Sequence, residues 1–197
     1  LHFEAWKALA DKLGINDFTK ADNVRQRGVS RMASLEVVLE KTDRAFSEEE
    51  KLALAEEKNE IYVRSLSALS ETDVLSGANE FIDYLKSKGI KTAVGSASKN
   101  TPLILEKTKL AGKFDAVSCG LDTTKSKPDP EVFLIAAKKL GVAPCDCVVV
   151  EDSDAGIEAA KTGGMYAIAV GAAEYNPKAD VAIKDLESLY RALTIFA

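Results

Sequence analysis

The apolar positions of this chain follow two rhythms. In the first third they keep a helical period: Phe3, Trp6, Ala10 and Leu13 share a face, and Gly14 stands where a C-cap glycine would. Ser30 is placed to N-cap a helix carrying Leu35, Val38 and Leu39. Ser47 and Glu50 have the spacing of a capping box, and the long helix they open bears the stripe Leu52, Ala55, Asn59, Tyr62, Leu66 and Leu69. Its three-four alternation is that of helices packed side by side. Lys58 borders this stripe, where a lysine usually lays its stem on apolar surface and keeps its head in water. From about Thr72 the rhythm changes to short β-branched runs separated by helical patterns. Strands are expected over 90–94, 116–118, 147–150, 167–170 and 181–183, with helices over 78–88, 102–110, 130–140, 155–162 and 186–193. Such alternation predicts a doubly wound parallel sheet. The expected architecture is α/β: a Rossmann-like parallel sheet core over residues 70–197, with a helical cap domain over residues 1–69 inserted near its start.

Composition narrows the function classes. With 197 residues, 46% apolar and 29% charged, the chain has the balance of an ordinary globular protein. Its net charge of −5, from 26 basic and 31 acidic residues, argues against a general nucleic-acid or membrane-surface role. No apolar run approaches the roughly 18 residues that span a bilayer, and no signal peptide is visible. The cysteines Cys119, Cys145 and Cys147 lack metal-site spacing and read as reduced thiols of a cytoplasmic protein.

Three segments carry candidate chemistry. Val148–Val150 is a buried-strand pattern that ends in two adjacent acids, Glu151 and Asp152, at the carboxyl end where open α/β sheets bind ligands. Paired acids there suit an oxygen-loving cation such as Mg²⁺, although a solvated acidic turn would read the same. The strand over 90–94 ends in Gly95 and a hydroxyl-rich tip, Ser96 and Ser98. Residues 125–130 read KSKPDP, which puts Lys127 just before a proline turn and a helix.

A strand-end serine, a lysine before a proline turn and a strand-end acid pair, in that order, resemble motifs two, three and four of the haloacid dehalogenase superfamily. The resemblance implies that Ser96 binds phosphate, Lys127 offsets its charge, and Glu151 with Asp152 holds Mg²⁺. The runs HFEAW at 2–6, RGVSR at 27–31, KN at 58–59 and SASKN at 96–100 look further like the β-phosphoglucomutase family. Members of that family interconvert β-glucose 1-phosphate and glucose 6-phosphate through an aspartyl-phosphate enzyme and a bisphosphate. Carried over, Gly28, Val29 and Arg31 face Ser98, Lys99 and Asn100 at a second, distal phosphate site, as a bisphosphate requires. Lys58 reaches the substrate, and His2 couples cap closure to the acid/base. A monomer acting on a small sugar phosphate is implied.

One family feature has no match in these residues: a strand ending in Asp-x-Asp, which supplies the nucleophile and the acid/base. Asp152 and Asp154 have that spacing but already fill the fourth motif. A further strand upstream of Leu1, between those at 90–94 and 148–150, is expected, since inner strands without a neighbour leave backbone groups unpaired. The chain by itself is then expected to be inactive and unstable. The alternatives are a sugar phosphatase of the same superfamily and a non-catalytic sugar-phosphate binder.

Overall fold

The computed structural model describes residues 1–195. Four α-helices make up the first part: α1 (His2–Lys12), α2 (Lys20–Val24), α3 (Arg31–Leu39) and α4 (Glu48–Ser65). Their ends are set locally. Ser30 Oγ accepts the Ala33 N–H, and Ser47 with Glu50 forms the reciprocal capping box the spacing predicts. α1, α3 and α4 close over a core that includes Trp6, Leu9, Phe18, Leu35, Val38 and Ala55. The face α4 buries differs from the expected stripe. Leu52 is 60% exposed, whereas Lys58 is buried beside Ala55 and Tyr62. α2 had no signal in the periodicity; at five residues it is too short to show one.

The second part alternates as expected: α5 (Ala78–Ser87), β1 (Ala93–Gly95), α6 (Thr101–Lys107), β2 (Ala116–Ser118), α7 (Glu131–Leu140), β3 (Val148–Glu151), α8 (Asp154–Thr162), β4 (Tyr166–Val170), β5 (Val181–Ile183) and α9 (Leu186–Ile195). Every strand pair is parallel. β1 begins three residues later than expected, because Ile90 belongs to the end of α5. Its N–H returns to Leu85 O at 3.0 Å, past Gly89 at φ +69°. α6 stops early by the same device, with Leu110 N–H bonded to Leu105 O at 2.8 Å.

The strands form two sheets, β1–β2 and β3–β4–β5. Among the described residues β1 and β3 exchange no backbone hydrogen bond. α7 packs across β1 and β2, while α8 covers β3 and β4. Val149, Ala167 and Ala169 are buried with Ile157 and Ala160 of α8. The opposite face is less covered, with Val148 58% exposed. No described helix is long and apolar enough to cross a membrane. All three cysteines are free thiols.

Candidate active site

The carboxyl ends of β1 and β3 meet around one lysine. Lys127 Nζ donates to Glu151 Oε2 at 2.8 Å and to Gly95 O at 3.3 Å, so it ties the acid pair to the strand that carries Ser96. Both members of this ion pair are buried, Lys127 at 5% and Glu151 at 8% exposure. The Lys127 ammonium also lies 4.6 Å from the centre of the Phe133 ring. The other carboxylate oxygen, Glu151 Oε1, accepts the Ser153 hydroxyl and the Ser153 N–H, while Ser153 Oγ caps α8 at Gly156 N. The carboxylate rests on the first turn of that helix. A Cβ on Gly156 would come within 2.1 Å of Glu151 Cδ, so only glycine leaves room.

Gly28 brings the helical part down onto this pair. It holds φ +74°, and a Cβ there would meet Ser153 Oγ at 2.5 Å and Lys127 Cδ at 3.6 Å. Gly28→Ala is expected to cost about 1–2 kcal/mol from the left-handed backbone alone and to lift residues 27–31 away from Ser153. A lower urea midpoint measures the first effect, and faster amide exchange over those residues measures the second.

A second polar cluster lies where α4 meets the loop after β1. Asn100 Nδ2 donates to Asn59 Oδ1 at 2.9 Å, Asn59 Nδ2 donates to Glu56 Oε1 at 3.2 Å, and Arg31 Nη1 donates to Glu56 Oε2 at 2.8 Å. The predicted residues Arg31 and Asn100 are therefore linked through Asn59 and Glu56 rather than in direct contact. Ser98 is half-buried with its hydroxyl accepting the Asn100 N–H, Lys99 is exposed, and Val29 is half-buried. Ser96 Oγ accepts the Ser98 N–H at 3.2 Å and touches Thr101 Oγ1 at 2.8 Å.

Beside this cluster Lys58 Nζ contacts His2 Nδ1 at 3.0 Å, and its ammonium lies 4.4 Å from the Trp6 ring and 4.9 Å from the Tyr62 ring. His2 stacks on Tyr62 with centroids 3.9 Å apart. Burial, then the charge of Arg31, pushes the Lys58 amine down to about 7. Crowding of the inner ring face and the nearby Lys58 charge hold His2 below the ordinary histidine value. Its outer edge remains in solvent, so that lowering is smaller than full burial would produce. A neutral imidazole is thus the acceptor for the lysine.

The acid pair suits a hard cation. Asp152 is exposed and Glu151 offers its remaining lone pairs, and magnesium needs only one or two carboxylates besides water and substrate phosphate. Among the described residues no group of three or more His, Cys, Asp or Glu side chains converges on one point, and a cation bound to Glu151 would share that carboxylate with Lys127 and Ser153. Sequence reasoning missed Ser153, Glu56 and Thr101. Ser153 could have been found as the N-cap three residues before Gly156; the other two act through contacts that no local pattern carries.

The chain has counterparts among known proteins. The haloacid dehalogenase-like hydrolase family model matches residues 1–164. A β-phosphoglucomutase of Bacillus subtilis is 36% identical over 190 residues, which is 95% of this chain and 84% of that protein. A phosphorylated carbohydrates phosphatase of Thermotoga maritima is 31% identical over 171 residues, 85% of this chain and 76% of that protein. Among solved structures, a β-phosphoglucomutase from Clostridium difficile superposes with a TM-score of 0.90 at 36% identity, covering 98% of this chain and 91% of that one.

Proposed function

The chain belongs to the haloacid dehalogenase-like hydrolase family, and we propose that it is the binding framework of a β-phosphoglucomutase, which converts β-glucose 1-phosphate to glucose 6-phosphate through a bisphosphate. The observation that carries this reading over simple hydrolysis is the second polar cluster. A phosphatase needs one phosphate site, whereas a mutase must hold a phosphate at each end of the sugar. Ser96 and Lys127 would take the reacting phosphoryl group: the hydroxyl donates to one oxygen, and the ammonium orients and neutralises two others. Phosphoryl transfer depends mainly on such positioning and charge stabilisation. Arg31, Asn100, Ser98 and Lys99 would hold the distal phosphate, which must displace Glu56 from the Arg31 fork. Gly28 and Val29 would close the helical cap, residues 1–69, over the sugar. Glu151 and Asp152 would hold Mg²⁺, which when bound neutralises phosphoryl oxygens.

The accepting carboxylate is proposed to come from a further strand ending in Asp-x-Asp and seated between β1 and β3. The support is the divided sheet, in which β1 and β3 share no backbone pairing among the described residues and Lys127 links their facing ends. Residues 1–197 alone would then transfer no phosphoryl group. Hydrolysis of hexose phosphates is the second reading, favoured by the sugar-phosphate phosphatase among the relatives.

The test is to give a chain extended by that strand β-glucose 1-phosphate, Mg²⁺ and a trace of β-glucose 1,6-bisphosphate. Phosphorus NMR should show glucose 6-phosphate, and free phosphate as the sole product would establish the phosphatase instead. Arg31→Ala should reduce the isomerisation about a hundredfold, the loss of a charge-assisted grip worth roughly 3 kcal/mol, while reducing hydrolysis far less. Equal losses in both assays would remove Arg31 from the substrate site.

A further inference from the structure

Thr101 opens α6 and is 4% exposed. Its Oγ1 lies 2.8 Å from Ser96 Oγ and 2.8 Å from the carbonyl oxygen of Ser98. A threonine hydroxyl has a single proton to share between them. The carbonyl can only accept. When Thr101 donates to Ser98 O, the contact with Ser96 must therefore carry the Ser96 proton, and Ser96 then has no hydrogen to offer an anion. Ser98 O also accepts the Gly120 N–H at 3.2 Å, so it stays satisfied if the Thr101 proton turns elsewhere.

We propose that Thr101 is a positioning residue of the phosphate site, a one-proton switch that sets whether Ser96 accepts or donates. This rests on the reading of Ser96 as a phosphate ligand. As a phosphoryl oxygen arrives, the Ser96 hydroxyl turns to it and the Thr101 hydroxyl turns from Ser98 O to Ser96 Oγ. Ser96 then donates one hydrogen bond while accepting two, from Thr101 and from the Ser98 N–H at 3.2 Å. Chains of hydrogen bonds polarise one another, so its O–H becomes a stronger donor to the anion. No covalent bond changes; each hydroxyl keeps its own proton and only rotates.

The experiment is a double-mutant cycle read by calorimetric titration of inorganic phosphate into the full chain with Mg²⁺ present. Ser96→Ala should weaken phosphate binding about tenfold, as loss of a hydrogen bond to a charged group does. Thr101→Val, which keeps shape and removes the hydroxyl, should weaken it severalfold in the unaltered chain and not at all beside Ser96→Ala. Thr101→Ser should restore the affinity. If the valine variant fails to fold, Thr101→Cys serves in its place, its thiol being only a weak donor. A Thr101 effect that persists beside Ser96→Ala would mean a structural role and overturn the proposal. So would an unchanged affinity for Thr101→Val while Ser96→Ala weakens binding, and the phosphate site would then stand without the switch. Phosphate binding that is absent, or indifferent to Ser96→Ala, would overturn the phosphate-site reading and the switch with it.

Discussion

Replacing Lys127 by methionine should lower the stability of the folded chain by about 3–5 kcal/mol, because it strands a buried carboxylate without its cation. Glu151 is 8% exposed, and its Oε2 has Lys127 Nζ at 2.8 Å. Ser153 still serves the other oxygen, but one hydroxyl and one amide do not neutralise a charge. The stranded charge can be separated from lost packing by the paired change Lys127→Met with Glu151→Gln. That double variant leaves no charge buried and should recover most of the stability in urea unfolding. It should recover no phosphoryl transfer in the extended chain, since the cation that meets the phosphate is gone. A single variant as stable as the unaltered chain would mean that water reaches Glu151.

Lys58→Met should act in the opposite direction and stabilise the fold at neutral pH and below. Lys58 is 4% exposed, its amine is pushed down to about 7, and its polar contact is a neutral imidazole rather than a carboxylate. The folded state thus binds this proton less tightly than the unfolded chain, whose lysine titrates at 10.5. Stability from this group is lost as pH falls from 10.5 toward 7, and the cost is complete below 7. A shift of that size corresponds to roughly 4–5 kcal/mol, and the contacts with Trp6 and Tyr62 return about 1–2 of these. The methionine variant should therefore gain about 2–3 kcal/mol at pH 6, a gain that fades as pH approaches 10.5. Denaturation at pH 6 and pH 10 measures it. A variant less stable at pH 6 would show that the aromatic contacts outweigh desolvation. Loss of activity in the same variant would mark the buried charge as kept for binding and not for folding.

The chain order of helices and strands was legible because its determinants are local. Ser30, Ser47 and Glu50 cap helices within a span of four residues, and Val148–Val150 announces a strand by side-chain type alone, although only Val149 of the three is buried. The placement of Ser96, Lys127, Glu151 and Asp152 was legible too, since strand tips and a proline turn leave a sequence mark. Strand starts were less so: Ile90 is as β-branched as Thr92 and Val94, but the glycine before it ends a helix. What only the tertiary structure decided is which of these residues share an environment. Lys58 beside an apolar stripe looks like a surface lysine until α1 lays Trp6 and His2 across it, and its charge state follows from that packing. Glu56 has no meaning in the sequence until it fills the Arg31 fork, and Thr101 none until it meets Ser96. Caps and strands are read from neighbours along the chain, whereas burial, hydrogen-bond direction and ion pairing are set by groups distant in sequence that only folding brings within reach.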